Sequence, residues 1–170
     1  FYGGWWQRVP SFLRSKIYLN DEATIEDDYR SLHPNLLYAN RGLDYIQLKR
    51  GDAYDIHVPN INDQDDKRKL VKRLMLIAIN AKDEATTFRA LKSELQEELP
   101  YFSFKFNDLK LILKNLKEKH HEIADDFCTG KGLQLMNLDG KIAEYIIDKF
   151  TQDNTPVLCV HDSFIVPRSK

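Results

Sequence analysis

Two short apolar runs near the C-terminus flank a polar pair, and this stretch constrains the fold more than any other. Residues 157–160 and 163–167 are rich in strand-forming side chains, so they predict a β-hairpin with His161 and Asp162 at its turn. This pair is not one of the Asn-Gly or Asp-Gly pairs that most readily form two-residue turns. The acid is therefore a candidate functional group, although an aspartate also accepts hydrogen bonds within its own turn.

The remaining pattern predicts one α+β domain over residues 1–170. Hydrophobic residues make up 42% of the chain and charged residues 30%, which is ordinary for a globular domain. Strands are predicted towards both ends, and apolar residues recur at helical spacing between them. We expect a small antiparallel sheet with helices packed on one face. The predicted strands are 1–7, 12–19, 23–28 and the hairpin, and the predicted helices are 35–40, one capped by Asp65 and Asp66, 83–99, one capped by Asn107, and 133–150.

Cysteine usage and hydropathy indicate the setting in which the chain works. Cys128 and Cys159 provide no disulfide framework, which favours a reducing, cytoplasmic compartment. No apolar run approaches the roughly 20 residues that span a bilayer, so no membrane partner is expected. Because the chain starts with Phe1 rather than Met, we expect it to be part of a longer protein.

A cluster of positive charge lies within a predicted helix, although the net charge of the chain is only −1. Residues 67–73 include five lysines and arginines. Arg68 and Lys72 are one helical turn apart, and therefore lie on the same face. Two aligned cations suit a polyanion such as a triphosphate or a nucleic-acid backbone, and a merely solvated basic face is the alternative.

A second acidic group ends the strand predicted at 23–28. Asp28 stands just before a helix that contains Pro34 in its first turn, so the carboxylate is exposed on a rigid element, although it can also be a plain helix cap. If Asp28 and Asp162 meet, they repel unless cations bind between them. Paired carboxylates of this kind hold two Mg²⁺ about 3.5–4 Å apart in polymerases and nucleases.

The order of these motifs resembles that in the palm and part of the fingers of family A DNA polymerases and single-subunit phage-type RNA polymerases. The segment Asp28-Tyr29-Arg30-Ser31-Leu32 resembles motif A, Arg68-x-x-x-Lys72 resembles motif B, and Val160-His161-Asp162-Ser163-Phe164 resembles motif C. Gly51-Asp52 and Asp55-Ile56-His57 resemble the family's G-x-D-I-H segment. The resemblance covers roughly residues 22 to 167 and implies a palm-like sheet with a short, fingers-like helical segment at about 65–130.

The resemblance implies a template-directed nucleotidyltransferase whose partners are a template, a primer and a nucleoside triphosphate. Asp28 and Asp162 would hold two Mg²⁺, and Arg68 and Lys72 would contact the triphosphate. Lys72 would also protonate the leaving pyrophosphate. The further residues that it implies are Tyr29, His33, His57 and Asn80 for the nucleotide, and Arg73 and His161 for the primer or nucleic acid.

Several departures from the family pattern leave alternatives open. Asp27 stands where an apolar strand residue is expected, so it is an alternative metal ligand. His33 replaces the glutamate that screens the ribose 2′-hydroxyl in DNA polymerases, and Asn80-Ala81 replaces the Tyr-Gly of RNA polymerases, so the product is DNA or RNA. Other functions that remain open are a two-metal nuclease, another phosphoryl-transfer enzyme, or a non-catalytic nucleic-acid-binding module.

Overall fold

The chain folds into α-helices and a small four-stranded antiparallel sheet, which confirms the α+β prediction. The computed structural model describes residues 3–29, 31–98 and 105–170, so Arg30 of the motif A segment and Pro100 lie outside the described residues. The strands are β1 (Tyr18–Leu19), β2 (Glu22–Asp28), β3 (Leu158–Val160) and β4 (Ser163–Pro167). The helices are α1 (Ser11–Arg14), α2 (Leu32–Ala39), α3 (Gln64–Asn80), α4 (Glu84–Glu98), α5 (Phe106–Lys119) and α6 (Gly132–Gln152), with 3₁₀ helices at Trp5–Arg8 and His121–Asp126.

The described residues divide into two compact units. The first contains residues 1–32 and 136–170, and therefore the whole sheet and most of α6. The second contains residues 33–135, with α3, α4 and α5. The single-domain prediction for residues 1–170 stays a prediction.

Within the first unit, the predicted hairpin pairs with the strand predicted at 23–28. The strand order is β1-β2-β4-β3, and all neighbouring strands are antiparallel. Strand β4 is therefore central, and β2 lies beside it over the register from Thr24↔Pro167 to Asp28↔Ser163. The end of β2 consequently reaches the turn of the hairpin.

One face of this sheet is covered by α6. Ala143 of the helix is buried with Cys159, Phe164 and Val166 of the two hairpin strands. The partly buried residues packed against this cluster include three more from α6, at positions 146, 147 and 150. The spacing of 143, 146, 147 and 150 is one face of a helix, which is why a 21-residue helix rich in apolar residues packs here rather than standing alone.

The N-terminal segment differs from its prediction. Strands predicted at 1–7 and 12–19 are wrong for the described residues 3–17, which form a 3₁₀ helix at Trp5–Arg8 and α1 at Ser11–Arg14; only Tyr18 and Leu19 form a strand. The Trp6 indole and the Gln7 amide both donate hydrogen bonds to the carbonyl of Cys159, at 2.9 and 3.1 Å. These contacts occupy an acceptor of β3, an outer strand of the sheet, so a tertiary interaction overrode the strand propensity of the aromatic residues.

The second unit is built on amphipathic helices. Its most buried side chains come from all three long helices and include Leu74, Leu91, Ile112 and Leu116, each with no exposed surface. Helix α3 begins earlier than predicted, because Asp63 rather than Asp65 or Asp66 is its cap and accepts the Asp66 amide at 2.9 Å. Helix α5 also begins one residue before Asn107.

Among residues 3–29, 31–98 and 105–170, no helix combines the length and the apolar character that crossing a membrane requires.

Two glycines of α6 should respond oppositely to substitution by alanine. A Cβ at Gly140 meets nothing within 4 Å, so Gly140→Ala should raise the free energy of unfolding by about 0.5–1 kcal/mol through helix propensity. A Cβ at Gly132 would stand 1.8 Å from Oδ1 of Asn80 and 3.2 Å from its Cα. Displacing Asn80 breaks its bond to the Leu76 carbonyl, so Gly132→Ala should lower the stability by about 1 kcal/mol. Urea denaturation of both variants measures these changes, and equal responses would contradict them.

Candidate functional site

The end of β2 and the turn of the β3–β4 hairpin form the candidate site. Asp28, the last residue of β2, pairs with Ser163, the first residue of β4. One residue further, the Tyr29 amide donates a 3.4 Å hydrogen bond to the carbonyl of Asp162. The structure therefore brings Asp28 and Asp162, which are far apart in sequence, to the same end of the sheet. Both residues are exposed.

The hairpin turn is formed without glycine. His161 occupies it with a φ of +53°, a left-handed conformation in which histidine is more frequent than most residues with a Cβ. His161 is exposed, beside Asp162. Histidine at this position is thus explained by the backbone conformation of the turn, in addition to the primer-binding role that the resemblance implies.

Strand pairing places Asp27 and Asp28, the two alternative metal ligands of β2, on opposite faces of the sheet. Directly opposite residues of an antiparallel pair share a face. Asp27 opposes Phe164 and therefore lies on the α6 face, whereas Asp28 opposes Ser163 on the other face. Consistent with this, the pKa of Tyr29 is raised first by burial and then by the carboxylates of Asp27 and Asp139, the latter from α6. Asp28 is consequently the acid that shares the face of Ser163.

A hydrogen-bonded group lies on the Asp28 face of the sheet. Arg14 of α1 makes two bonds to the Glu26 carboxylate, at 2.8 and 2.7 Å. The Ser163 hydroxyl lies 2.8 Å from Glu26 Oε1 and 2.9 Å from the Val160 carbonyl, and it donates to one of them at a time. This group joins α1, β2 and β4 directly below the candidate site. This group was not predicted from the sequence, although Glu26 lies two residues before Asp28 and therefore on the same face of β2.

Asp139 is a further acid near the site and was not predicted from the sequence. It is half-buried on α6, and its charge adds to the effects of burial and of Asp27, which raise the pKa of Tyr29. The pKa of the Cys159 thiol is raised mainly by burial, with Asp139 and Asp162 adding to the effect. Tyr29 itself packs edge-on against Phe164, with 6.2 Å between the ring centroids. The α6 side of the site is therefore acidic as well.

The donor set at the end of the sheet is compatible with Mg²⁺. Within the described part of the chain, no group of three or more His, Cys, Asp or Glu side chains is arranged to hold a metal ion. Mg²⁺, however, keeps several waters and commonly binds through one or two carboxylates together with substrate phosphates. Two exposed carboxylates, Asp28 and Asp162, meet that requirement.

The basic residues predicted to contact phosphates belong to the second unit. Arg68 on α3 donates from Nε to Asp52 at 2.7 Å, and its guanidinium carbon lies 5.0 Å from the centroid of the Tyr54 ring. Lys72 is exposed one turn later. Arg73, assigned to nucleic-acid contact, forms an ion pair with Glu94 of α4 at 2.9 Å. Arg68 and Lys72 thus stay together on one helix, whereas Arg73 is paired with α4.

The remaining residues assigned to the nucleotide also lie in the second unit. His33 is half-buried in α2, and His57 is exposed in the segment before α3. The His57 carbonyl accepts a 2.9 Å bond from the Asn115 amide. Asn80, the last residue of α3, donates from its side chain to the Leu76 carbonyl at 2.7 Å. Asn80 therefore has a structural role at the end of its helix.

His120 is a buried residue whose role was not foreseen. It has no exposed surface, and burial lowers its pKa and favours the neutral ring. A carbonyl can only accept, so Nε2 carries the proton and donates to Ala53 at 2.8 Å, while Nδ1 accepts from the Tyr38 hydroxyl at 2.9 Å. His120 thereby fastens the segment around Ala53 to the end of α5.

Comparisons with protein-family models, with curated proteins and with solved structures find no match to this chain. Only the residues of the chain and their geometry therefore bear on its function.

The bonds around Glu26 predict an acid-dependent contribution to stability. The hydrogen bond from Arg14 is the main cause that lowers the pKa of this carboxyl; burial opposes it, and the bond from Ser163 assists it. Because the folded-state pKa is depressed, the contribution is present above about pH 4.3, where an unperturbed glutamate titrates, and is lost as the pH falls through the folded value. Glu26→Gln should therefore destabilise the chain at pH 7. It should also make the melting temperature fall less steeply as the pH is lowered through the acidic range. If the acid dependence of the melting temperature is the same in the variant and in the wild type, Glu26 does not make this contribution.

Proposed function

We propose that this chain is the palm-like core of a template-directed nucleotidyltransferase that uses two Mg²⁺ held by Asp28 and Asp162. The observation that carries the proposal is the pairing of β2 with β4, which sets an acid at a strand end beside an acid at a hairpin turn. The proposed partners are a nucleic-acid template, a primer and nucleoside triphosphates. Free, buried Cys128 and Cys159 support work in a reducing, cytoplasmic compartment.

In the proposed reaction, the primer 3′-hydroxyl oxygen attacks the α-phosphorus of the nucleotide. The bond from that phosphorus to the bridging oxygen breaks, pyrophosphate leaves, and the hydroxyl proton passes to solvent. The bound ions would stabilise the negative charge on the attacking and leaving oxygens. Arg68 and Lys72 would bind the triphosphate, and Lys72 would give a proton to the leaving pyrophosphate. His161, next to Asp162, would support the primer end.

Face assignment supports Asp28 rather than Asp27 as the first ligand. Asp28 shares the face of Ser163, the residue that follows Asp162, whereas Asp27 shares the face covered by α6. Nucleases and other two-metal enzymes usually use more than two clustered acids. Of the other acids near the site, Glu26 is bonded to Arg14 and Ser163. Asp27 and Asp139 lie on the α6 side. The polymerase proposal therefore needs fewer assumptions than the nuclease alternative.

Replacement of either proposed ligand should abolish incorporation. Asp28→Asn and Asp162→Asn should each lower Mg²⁺-dependent extension of a primed template by about 100-fold or more, because several kcal/mol of charge stabilisation are lost. Asp27→Asn makes the same charge change at the neighbouring position and should have a much smaller effect. The assay offers deoxynucleotides and ribonucleotides separately, which also determines the product.

The outcomes separate the competing functions. Extension that survives both Asp28→Asn and Asp162→Asn would refute the metal assignment, and loss with Asp27→Asn alone would move it to Asp27. Template binding without extension by the wild-type chain would favour a non-catalytic module, and Mg²⁺-dependent cleavage of the template would favour a nuclease. A Mg²⁺-dependent rise of melting temperature that Asp162→Asn removes gives a readout independent of turnover.

A further inference from the structure

The Arg68 guanidinium is held in one orientation by two residues of the segment before α3. Its Nε donates to Oδ2 of Asp52, and its central carbon lies over the ring of Tyr54, 5.0 Å from the ring centroid. The side chain of Arg68 is nevertheless 53% exposed. A guanidinium has five N–H donors, and the bond to Asp52 uses the one on Nε. The terminal Nη groups, which bind phosphate in a forked geometry, are therefore not used by Asp52.

Asp52 is itself anchored rather than mobile. Its other oxygen, Oδ1, accepts the Tyr54 amide at 3.0 Å, so the carboxylate closes a turn in its own segment while it holds Arg68. Tyr54 is only 6% exposed, so the ring beneath the guanidinium is fixed by its surroundings. A carboxylate that competed with phosphate for Arg68 would be expected to take the Nη pair. The single bond at Nε instead fits a residue that orients the fork.

The segment that carries these residues is fastened to the C-terminal half of α5 and to His120, the residue that follows it. The side chains of Asn115, Lys119 and His120 donate to the carbonyls of His57, Asp55 and Ala53, at 2.9, 2.8 and 2.8 Å. These bonds satisfy backbone acceptors of a segment that lacks helix or strand hydrogen bonds. They also explain how an irregular segment can act as a rigid support.

We propose that Asp52 and Tyr54 are positioning residues that preorganise Arg68, with Lys72 one turn away, as a site for the phosphate chain of a nucleotide. The site lies wholly within the second unit. The identity of the anion as a nucleoside triphosphate rests on the proposed function, whereas the anion site and its support rest on the contacts around Arg68. Preorganisation lowers the entropy lost when a long side chain is immobilised by its ligand.

Substitution at Tyr54 tests the support without changing any charge. Binding of inorganic tripolyphosphate to the 170-residue chain is measured by calorimetry. Tyr54→Phe keeps the ring face and should leave affinity unchanged, whereas Tyr54→Leu should weaken it about threefold to tenfold. In an Arg68→Ala background the difference between Phe and Leu at position 54 should disappear, because the ring acts through Arg68. Melting temperatures identify a variant that has unfolded. Tyr54→Met, which also lacks an aromatic face, then takes the place of Tyr54→Leu.

Substitution at Asp52 gives a second, independent test. Asp52→Asn can still close the turn with Tyr54 but presents a donor to Arg68 Nε, and it also removes a negative charge. At about 1 M salt the screening length is about 3 Å, so the effect of the lost charge is suppressed. Under these conditions the affinity of Asp52→Asn for tripolyphosphate should be several-fold lower than that of the wild type, because Arg68 is no longer oriented. Lys69→Ala, on an exposed residue with an ion pair to Asp66, is the control for loss of a cation on α3.

The results decide between clear outcomes. No tripolyphosphate binding, no loss of binding with Arg68→Ala, or equal affinities for the Phe and Leu variants of position 54 would each overturn the proposal. If the binding pattern holds but the chain does not extend a primer, the proposed function fails while the anion site stands. If extension requires Asp28 and Asp162 but the binding pattern is absent, the proposed function stands and the anion site fails.

Discussion

The antiparallel pairing of β2 with β4 is the interaction on which the candidate site depends. Its register sets Asp28 opposite Ser163 and brings Tyr29 to the carbonyl of Asp162. Because side chains alternate along a strand, a shift of one residue would turn Asp28 towards α6 and Asp27 away from it. The pairing is reinforced by buried residues on the α6 face and by the Glu26–Ser163 bond on the other. Packing and polar contacts thus fix the same register.

Polar side chains fasten irregular segments in both units. In the first unit, Trp6 and Gln7 occupy the Cys159 carbonyl of β3, and Arg14 holds Glu26. In the second unit, residues at the end of α5 hold the segment that supports Arg68. Each of these contacts joins a backbone carbonyl or a carboxylate to a side chain from another element. The segments near the proposed ligand-binding groups are therefore held by hydrogen bonds from distant parts of the chain.

The sequence predicted the elements with strong local signals. The hairpin, the strand before Asp28 and the long helices were predicted because period-two and helical spacing of apolar residues is a local property. Errors arose where distant contacts decided the conformation: the aromatic N-terminal segment was predicted as strand, and Asp65 and Asp66 as a cap that Asp63 provides. The meeting of Asp28 and Asp162 was expected from motif order, but Arg14, Glu26 and Asp139 were not expected near it. Their partners lie on other elements, and no local pattern specifies such pairings.

By itself, the sequence determined the α+β class, the positions of the hairpin and helices, and the chemical types available: two separated acids and a pair of cations one turn apart. Only the tertiary structure decided which acid of β2 shares the face of Ser163 and which residues orient Arg68. The reason is physical. Hydrophobic spacing specifies which side of an element is buried, whereas strand register and side-chain hydrogen bonds depend on what the folded chain places opposite it.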